Sequence, residues 1–158
     1  MSTPTLDARR SAEYYTFAGK DVPWLAKLWA EQTPDKEFLI WEPKDGKTRS
    51  WTYAQFWQEI NQVACGLIAR GVTKGDKVLI HSENCPEMMI AWYASAIVGS
   101  VAVTTNTRCV GDELTYFAEH SEAVGVLVHG DRWHDPVATP DAGPGGATAA
   151  GLLARAVR

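Results

Sequence analysis

Apolar and polar positions follow two rhythms along this chain, and the switching between them places the elements. Between Lys77 and Val128, three short apolar runs are separated by longer segments of helical spacing. Val78-Leu79-Ile80-His81, Val101-Ala102-Val103-Thr104 and Val124-Gly125-Val126-Leu127-Val128 read as strands. The stretches from about Pro86 to Val98 and from Asp112 to Ser121 read as helices. A βαβαβ order predicts a parallel sheet with right-handed crossovers, because a parallel pair needs a connection long enough to hold a helix. Asn84 is expected to cap the first crossover helix, with Glu87 reaching back to it, Pro86 in the first turn and Gly99 as the left-handed stop. Met88, Met89, Ile90, Ala91, Trp92, Tyr93, Ala94, Ala96 and Ile97 surround that helix with apolar groups, so it should be covered on both sides.

The same reading extends upstream. After a polar leader, residues 1–20, Asp21 is an acceptor at a helix start and Pro23 fits the first turn; Val22, Leu25, Leu28 and Trp29 follow at helical spacing until Thr33-Pro34-Asp35. Phe38-Leu39-Ile40-Trp41 and Arg49-Ser50-Trp51-Thr52 flank a Pro43-Lys44-Asp45-Gly46 turn, which predicts a small hairpin. Three of the seven Trp residues, Trp41, Trp51 and Trp57, fall here and in the next helix, as expected of a dense apolar layer over the sheet. Thr52-Tyr53-Ala54-Gln55 is a capping box. From there Phe56, Ile60, Val63 and Leu67 define one apolar face, with Gln58, Glu59, Asn61 and Gln62 opposite and Gly71 at the close. Val72 to Lys77 is a polar turn into the first core strand.

The organisation expected is therefore a leader (1–20), one α/β domain (21–130) and a low-complexity tail (131–158). From His134 onward only nine residue types occur, and Pro and Gly cluster from Pro136 to Gly146, a composition expected to be disordered. A short helix from Thr148 to Val157 is the one element expected there, from its Ala and Leu content.

Composition narrows the function classes. With 46% hydrophobic and 22% charged residues the chain is that of an ordinary globular domain, and a net charge of −4 without a basic cluster speaks against a nucleic-acid partner. No apolar run reaches the ~20 residues that cross a bilayer, and the leader carries Asp7 and Glu13 without a secretory core; the cytoplasm is the expected compartment. Cys65, Cys85 and Cys109 form no CxxC pair, so neither a disulfide framework nor a zinc site is expected; Cys65 is read as a small buried thiol.

A doubly wound sheet raises the nucleotide question. The loop after the first core strand, Ser82-Glu83-Asn84-Cys85-Pro86, has no glycine and brings a carboxylate, and neither a Gly-x-Gly-x-x-Gly nor a Gly-x-x-x-x-Gly-Lys-Ser/Thr pattern occurs in the sequence. His81 stands at a strand end, where ligands gather in such sheets, although a hydrogen-bonded structural histidine is the plainer reading. His120 closes a helix, where its charge suits the dipole. His129 and His134 flank the change in composition, and nothing in the sequence joins Cys109 to His81 as thiol and base.

Five segments in register resemble one family. Trp51-Thr52-Tyr53-Ala54-Gln55-Phe56, the amphipathic helix ending at Gly71, Gly75-Asp76-Lys77-Val78, Asn84-Cys85-Pro86-Glu87 and the run from Ala96 to Asn106 resemble, in order and spacing, the N-terminal part of AMP-forming acyl-CoA synthetases, members of the adenylate-forming family. The likeness covers roughly Trp24 to Val128; Thr52 to Phe56 looks like the family's first core motif, Ala96 to Asn106 like its second, and Gly111-Asp112-Glu113-Leu114 like the start of the next helix. The fold implied is a partial parallel-sheet N-terminal subdomain of the ligase fold. The chemistry implied uses ATP, CoA and Mg²⁺: a carboxylic acid attacks the α-phosphate of ATP, and CoA then displaces AMP to leave a thioester.

Family members hold the nucleotide with a phosphate loop ending in lysine, an adenine motif, a ribose-binding aspartate and a lysine on a mobile C-terminal domain. None of these is found in the sequence, whose last lysine is Lys77. No catalytic, cofactor-binding or metal-ligating residue is therefore carried over, and none of the family's cofactors is expected to bind this chain tightly. All nine residue types of the tail have G- and C-rich codons, as expected of a frame-shifted end on a truncated gene. The resulting expectation is the N-terminal fragment of an acid–CoA ligase, inactive alone. The alternative is a non-catalytic interaction module reusing the same fold, with self-association through an exposed sheet edge and apolar faces such as Trp92 and Tyr93. A full enzyme with its site elsewhere ranks last.

Overall fold

The computed structural model describes residues 20–44, 46–109 and 111–129, and the backbone of 152–156. Residues 1–19 of the leader and the Pro136–Gly146 segment lie outside the described residues.

Helix α1, Val22–Gln32, starts where an acceptor precedes proline: the Trp24 N–H donates to Asp21 Oδ1 at 2.7 Å, and Pro23 occupies the first turn. Its sequence stripe does not become a buried face. Ala30 is its one buried residue and Ala26 packs on the core, whereas Val22 (38%), Leu25 (43%) and Trp29 (38%) remain exposed. The helix thus meets the core through its small residues.

Strands β1, Glu37–Trp41, and β2, Arg49–Thr52, pair antiparallel as the expected hairpin. Helix α2, Tyr53–Ala69, follows directly. Its capping box is formed, with the Gln55 N–H donating to Thr52 Oγ1 at 3.3 Å and the Thr52 N–H to Gln55 Oε1 at 2.9 Å. At the other end Gly71 takes φ +85°, a left-handed position that costs a glycine no Cβ clash, and its N–H reaches Ile68 O. Phe56, Ile60, Val63, Ala64 and Leu67 are buried, as expected from their spacing. Cys65 is exposed, against expectation: at about 100° per residue it turns away from the face that Ala64 and Leu67 share.

The second sheet carries the parallel core. Strands β3 (Lys77–His81), β4 (Val101–Thr104) and β5 (Ala123–His129) are all parallel, with β3 in the middle. Helix α3, Pro86–Val98, connects β3 to β4, and helix α4, Gly111–Ser121, connects β4 to β5. The pleat sends alternate side chains to opposite faces. Val78 and Ile80 join α2 and α3 in a cluster of thirteen buried residues that includes Trp51, Ile60, Ile90 and Leu127; Trp41 and Trp57 pack against it. Leu79 faces the other way, joining Leu114 of α4 and Ala123. A register shift opposite Val124 lets β5 contribute Ala123 and Val126 to one face and Val124 and Leu127 to the other.

Every residue of α3 except Trp92, 43% exposed, is buried or half-buried, consistent with its all-round apolar character. Its start differs from expectation. Cys85, not Asn84, is the N-cap, and no Asn84–Glu87 box forms. Pro86 at the first helical position forces the preceding residue into extended backbone, and Cys85 sits at φ −140°, ψ 167°.

The tail also departs from the reading. Leu152–Ala156 is strand β6, antiparallel to β5 from Gly125↔Ala156 to His129↔Leu152, where a helix from Thr148 to Val157 was expected. Local Ala and Leu content favours helix only weakly, and the open edge of β5 offers unpaired backbone groups. The sheet order is β4-β3-β5-β6, so β6 covers the β5 edge that the three-strand reading left open.

Candidate functional site

The C-terminal ends of β3 and β5 come out on one side of the sheet, together with the loop leading into α3. At the end of β3, His81 is 3% exposed and shares a hydrogen bond of 2.9 Å between Nδ1 and Thr105 Oγ1. Thr105 also donates its backbone N–H to Ile80 O at 3.1 Å. The end of the Ala96–Asn106 segment thereby ties β4 to β3, a structural task. The hydrogen-bonded reading of His81 holds.

The next turn carries the denser chemistry. Ser82 Oγ lies 3.3 Å from Cys85 Sγ. Glu87, in the first turn of α3, is 8% exposed, and Arg49, the first residue of β2, donates to its Oε1 at 2.6 Å. The Arg49 guanidinium in turn lies over the Trp51 ring, 4.8 Å from its centroid. Burial alone would raise the Glu87 carboxyl, but the Arg49 hydrogen bond and charge, with a backbone N–H of its own helix turn, outweigh it and hold the group below the ordinary carboxylate range. Burial pushes the Cys85 thiol up, and the Ser82 and Met88 hydrogen bonds that favour the thiolate do not offset it.

His129, the last residue of β5, completes the group. One ligand atom from each of Cys85, Glu87 and His129 lies within 4.8 Å of the others. Sequence reasoning missed this cluster, since forty-odd residues separate Glu87 from His129. The signal that could have found it is topological: Cys85, Glu87 and His129 all follow or end parallel strands on the same edge. Elsewhere, Cys109 packs with Leu79 and Leu114 under α4, and His120 stacks on Tyr116 with ring centroids 5.3 Å apart. His134 lies outside the described residues.

The loop after β3 has no glycine, Glu83 is exposed there, and Arg49 is engaged by Glu87. Among the described residues, no glycine-rich loop leads from β3 into α3 to cradle a phosphate.

Comparison with known proteins places this arrangement. The AMP-binding enzyme family matches residues 26–151, so the match runs past the change in composition near His134 rather than stopping at Val128. The chain is 36% identical over 107 residues to the crotonobetaine/carnitine–CoA ligase of Salmonella paratyphi A, a stretch that covers 66% of this chain and 20% of that enzyme. The chain therefore spans about a fifth of the length of such curated relatives. Among solved structures, the inhibitor-bound N-terminal domain of FACL13 from Mycobacterium tuberculosis superposes with TM-score 0.62 and 29% identity, over 69% of this chain and 27% of that one. The O-succinylbenzoate CoA synthetase MenE of Bacillus subtilis, solved with AMP, gives 0.59 and 28%, over 67% and 26%.

Proposed function

Since the chain belongs to the AMP-binding enzyme family, we propose that it supplies the N-terminal scaffold of an AMP-forming carboxylic acid–CoA ligase and does not catalyse the reaction alone. In the complete reaction ATP, CoA and Mg²⁺ take part, with an acyl-adenylate as intermediate. The observation that carries this reading is the match of the family over residues 26–151 to a βαβαβ core whose family-like segments serve structure: Thr52 caps α2, Gly99 ends α3 at φ +77°, and Thr105 joins β4 to β3. The share of the relatives covered, 20%, supports the view that the nucleotide-gripping groups of the family lie outside these residues.

Among the described residues no helix is long and apolar enough to cross a membrane. We place the protein in the cytoplasm, with a carboxylic acid, ATP and CoA as the ligase's partners and no nucleic acid. Self-association through β4 remains part of the proposal, because Val101 on that outer strand is 50% exposed.

The test is ATP–pyrophosphate exchange on the purified chain with a panel of carboxylic acids. Exchange at background level is expected; exchange above it contradicts the scaffold reading. A defined oligomer in size-exclusion chromatography, without exchange, supports association through the β4 edge.

A further inference from the structure

We propose that Cys85, Glu87 and His129 form a site for a zinc-class transition-metal ion, distinct in chemistry from the magnesium that accompanies nucleotide in the ligase reaction. Three different donor atoms converge from two elements: a thiol at the N-cap of α3 and a carboxylate in its first turn, and an imidazole at the end of β5. Their mutual separations, all within 4.8 Å, are close to what a tetrahedral ion needs. Bonds of ~2.3 Å to sulfur and ~2.0 Å to nitrogen set neighbouring ligand atoms about 3.5 Å apart, so closure takes about an ångström of side-chain rotation.

The donor set chooses the ion. Sulfur, imidazole nitrogen and one carboxylate oxygen suit Zn²⁺ or Co²⁺, whereas Mg²⁺ takes oxygen ligands in a near-octahedral shell. Outer partners are already in place. Ser82 Oγ stands 3.3 Å from the sulfur, and Arg49 fixes one carboxylate oxygen and so orients the other. Glu87 is 8% exposed and cannot swing far without leaving Arg49.

The thiol proton of Cys85, whose sulfur lies 3.3 Å from Ser82 Oγ, is the one that metal binding displaces. Binding exchanges that proton for the ion: the S–H bond breaks, its electron pair forms the metal–sulfur bond, and the proton leaves to solvent. Thiolate and carboxylate together then balance the dication, and the N-terminus of α3 favours the thiolate. Three protein ligands leave a fourth position for water.

Cobalt titration of the full chain tests the site. One Co²⁺ per chain is expected, with a sulfur-to-cobalt charge-transfer band in the near ultraviolet, visible bands of tetrahedral intensity, release of one proton, displacement by Zn²⁺ and no displacement by excess Mg²⁺. Cys85→His should keep the visible bands and lose the near-ultraviolet one. His129→Gln should weaken binding roughly 100-fold or more, since even removal of outer partners costs 10–100-fold. The double substitution Cys65→Ser/Cys109→Ser should change neither band. Absence of saturable binding, survival of the charge-transfer band in Cys85→His, or displacement by Mg²⁺ would each overturn the proposal. Should Cys85→His fail to fold by far-ultraviolet dichroism, alkylation of the wild-type chain decides: Zn²⁺ should slow modification of Cys85 by roughly 10-fold, and an unchanged rate overturns the site.

Discussion

The two faces of the parallel sheet are built on different scales. On one side, α2 and α3 close over Val78, Ile80 and Leu127 in a cluster of thirteen buried residues; on the other, α4 covers Leu79 with only Leu114 and Ala123 fully buried beside it. Each fully buried Leu, Ile or Phe contributes ~1.5–3 kcal/mol over its exposed state, so most of the stabilisation lies on the α2/α3 side. The thick face also carries the capping box of α2 and the left-handed Gly99 that ends α3. The difference teaches that the segments read as family motifs, Thr52–Phe56 and Ala96–Asn106, pack in and against the thicker layer, through Phe56, Ile97, Val98 and Ala102.

Truncation on each face can break this comparison. Ile60, fully buried in α2, is expected to cost about 4 kcal/mol as Ile60→Ala, because the void is walled by a packed layer. Leu114→Ala, under the thinner cover of α4, should cost about 2 kcal/mol, since its surroundings can collapse. Urea denaturation gives both values, and equal losses would show that the two faces contribute alike.

A smaller effect sharpens the picture at the sheet edge. The Glu87 carboxyl has its folded value below the ordinary 4.5, so its contribution is present above that pH and is lost as the pH falls through the depressed value. The stability of the wild-type chain should therefore decline on acidification below pH 4.5 more steeply than that of Glu87→Gln. Denaturation midpoints of the two proteins measured across that range check the sign; parallel acid limbs would show that the Arg49 pair does not act on stability.

What was legible in the sequence was what is decided locally. The Thr52–Gln55 box, the Asp21 cap, the Gly71 and Gly99 stops and the three parallel strands each depend on residues a few positions apart. The misreadings mark where a competing constraint entered. Asn84 offered a good cap, but Pro86 fixed the helix start one residue later. Cys65 was assigned to the interior by residue type, while the helix period put it outside. Leu152–Ala156 has helix-favouring composition, yet an open strand edge recruits it. The Cys85–Glu87–His129 cluster was invisible because its members meet only through the crossover that sets β5 beside β3.

The central claim is that these residues build scaffold and hold no nucleotide by themselves. Isothermal calorimetry of ATP with Mg²⁺ into the purified chain tests it most directly. The account predicts heats indistinguishable from dilution, whereas a saturable isotherm with one ATP bound per chain would contradict it.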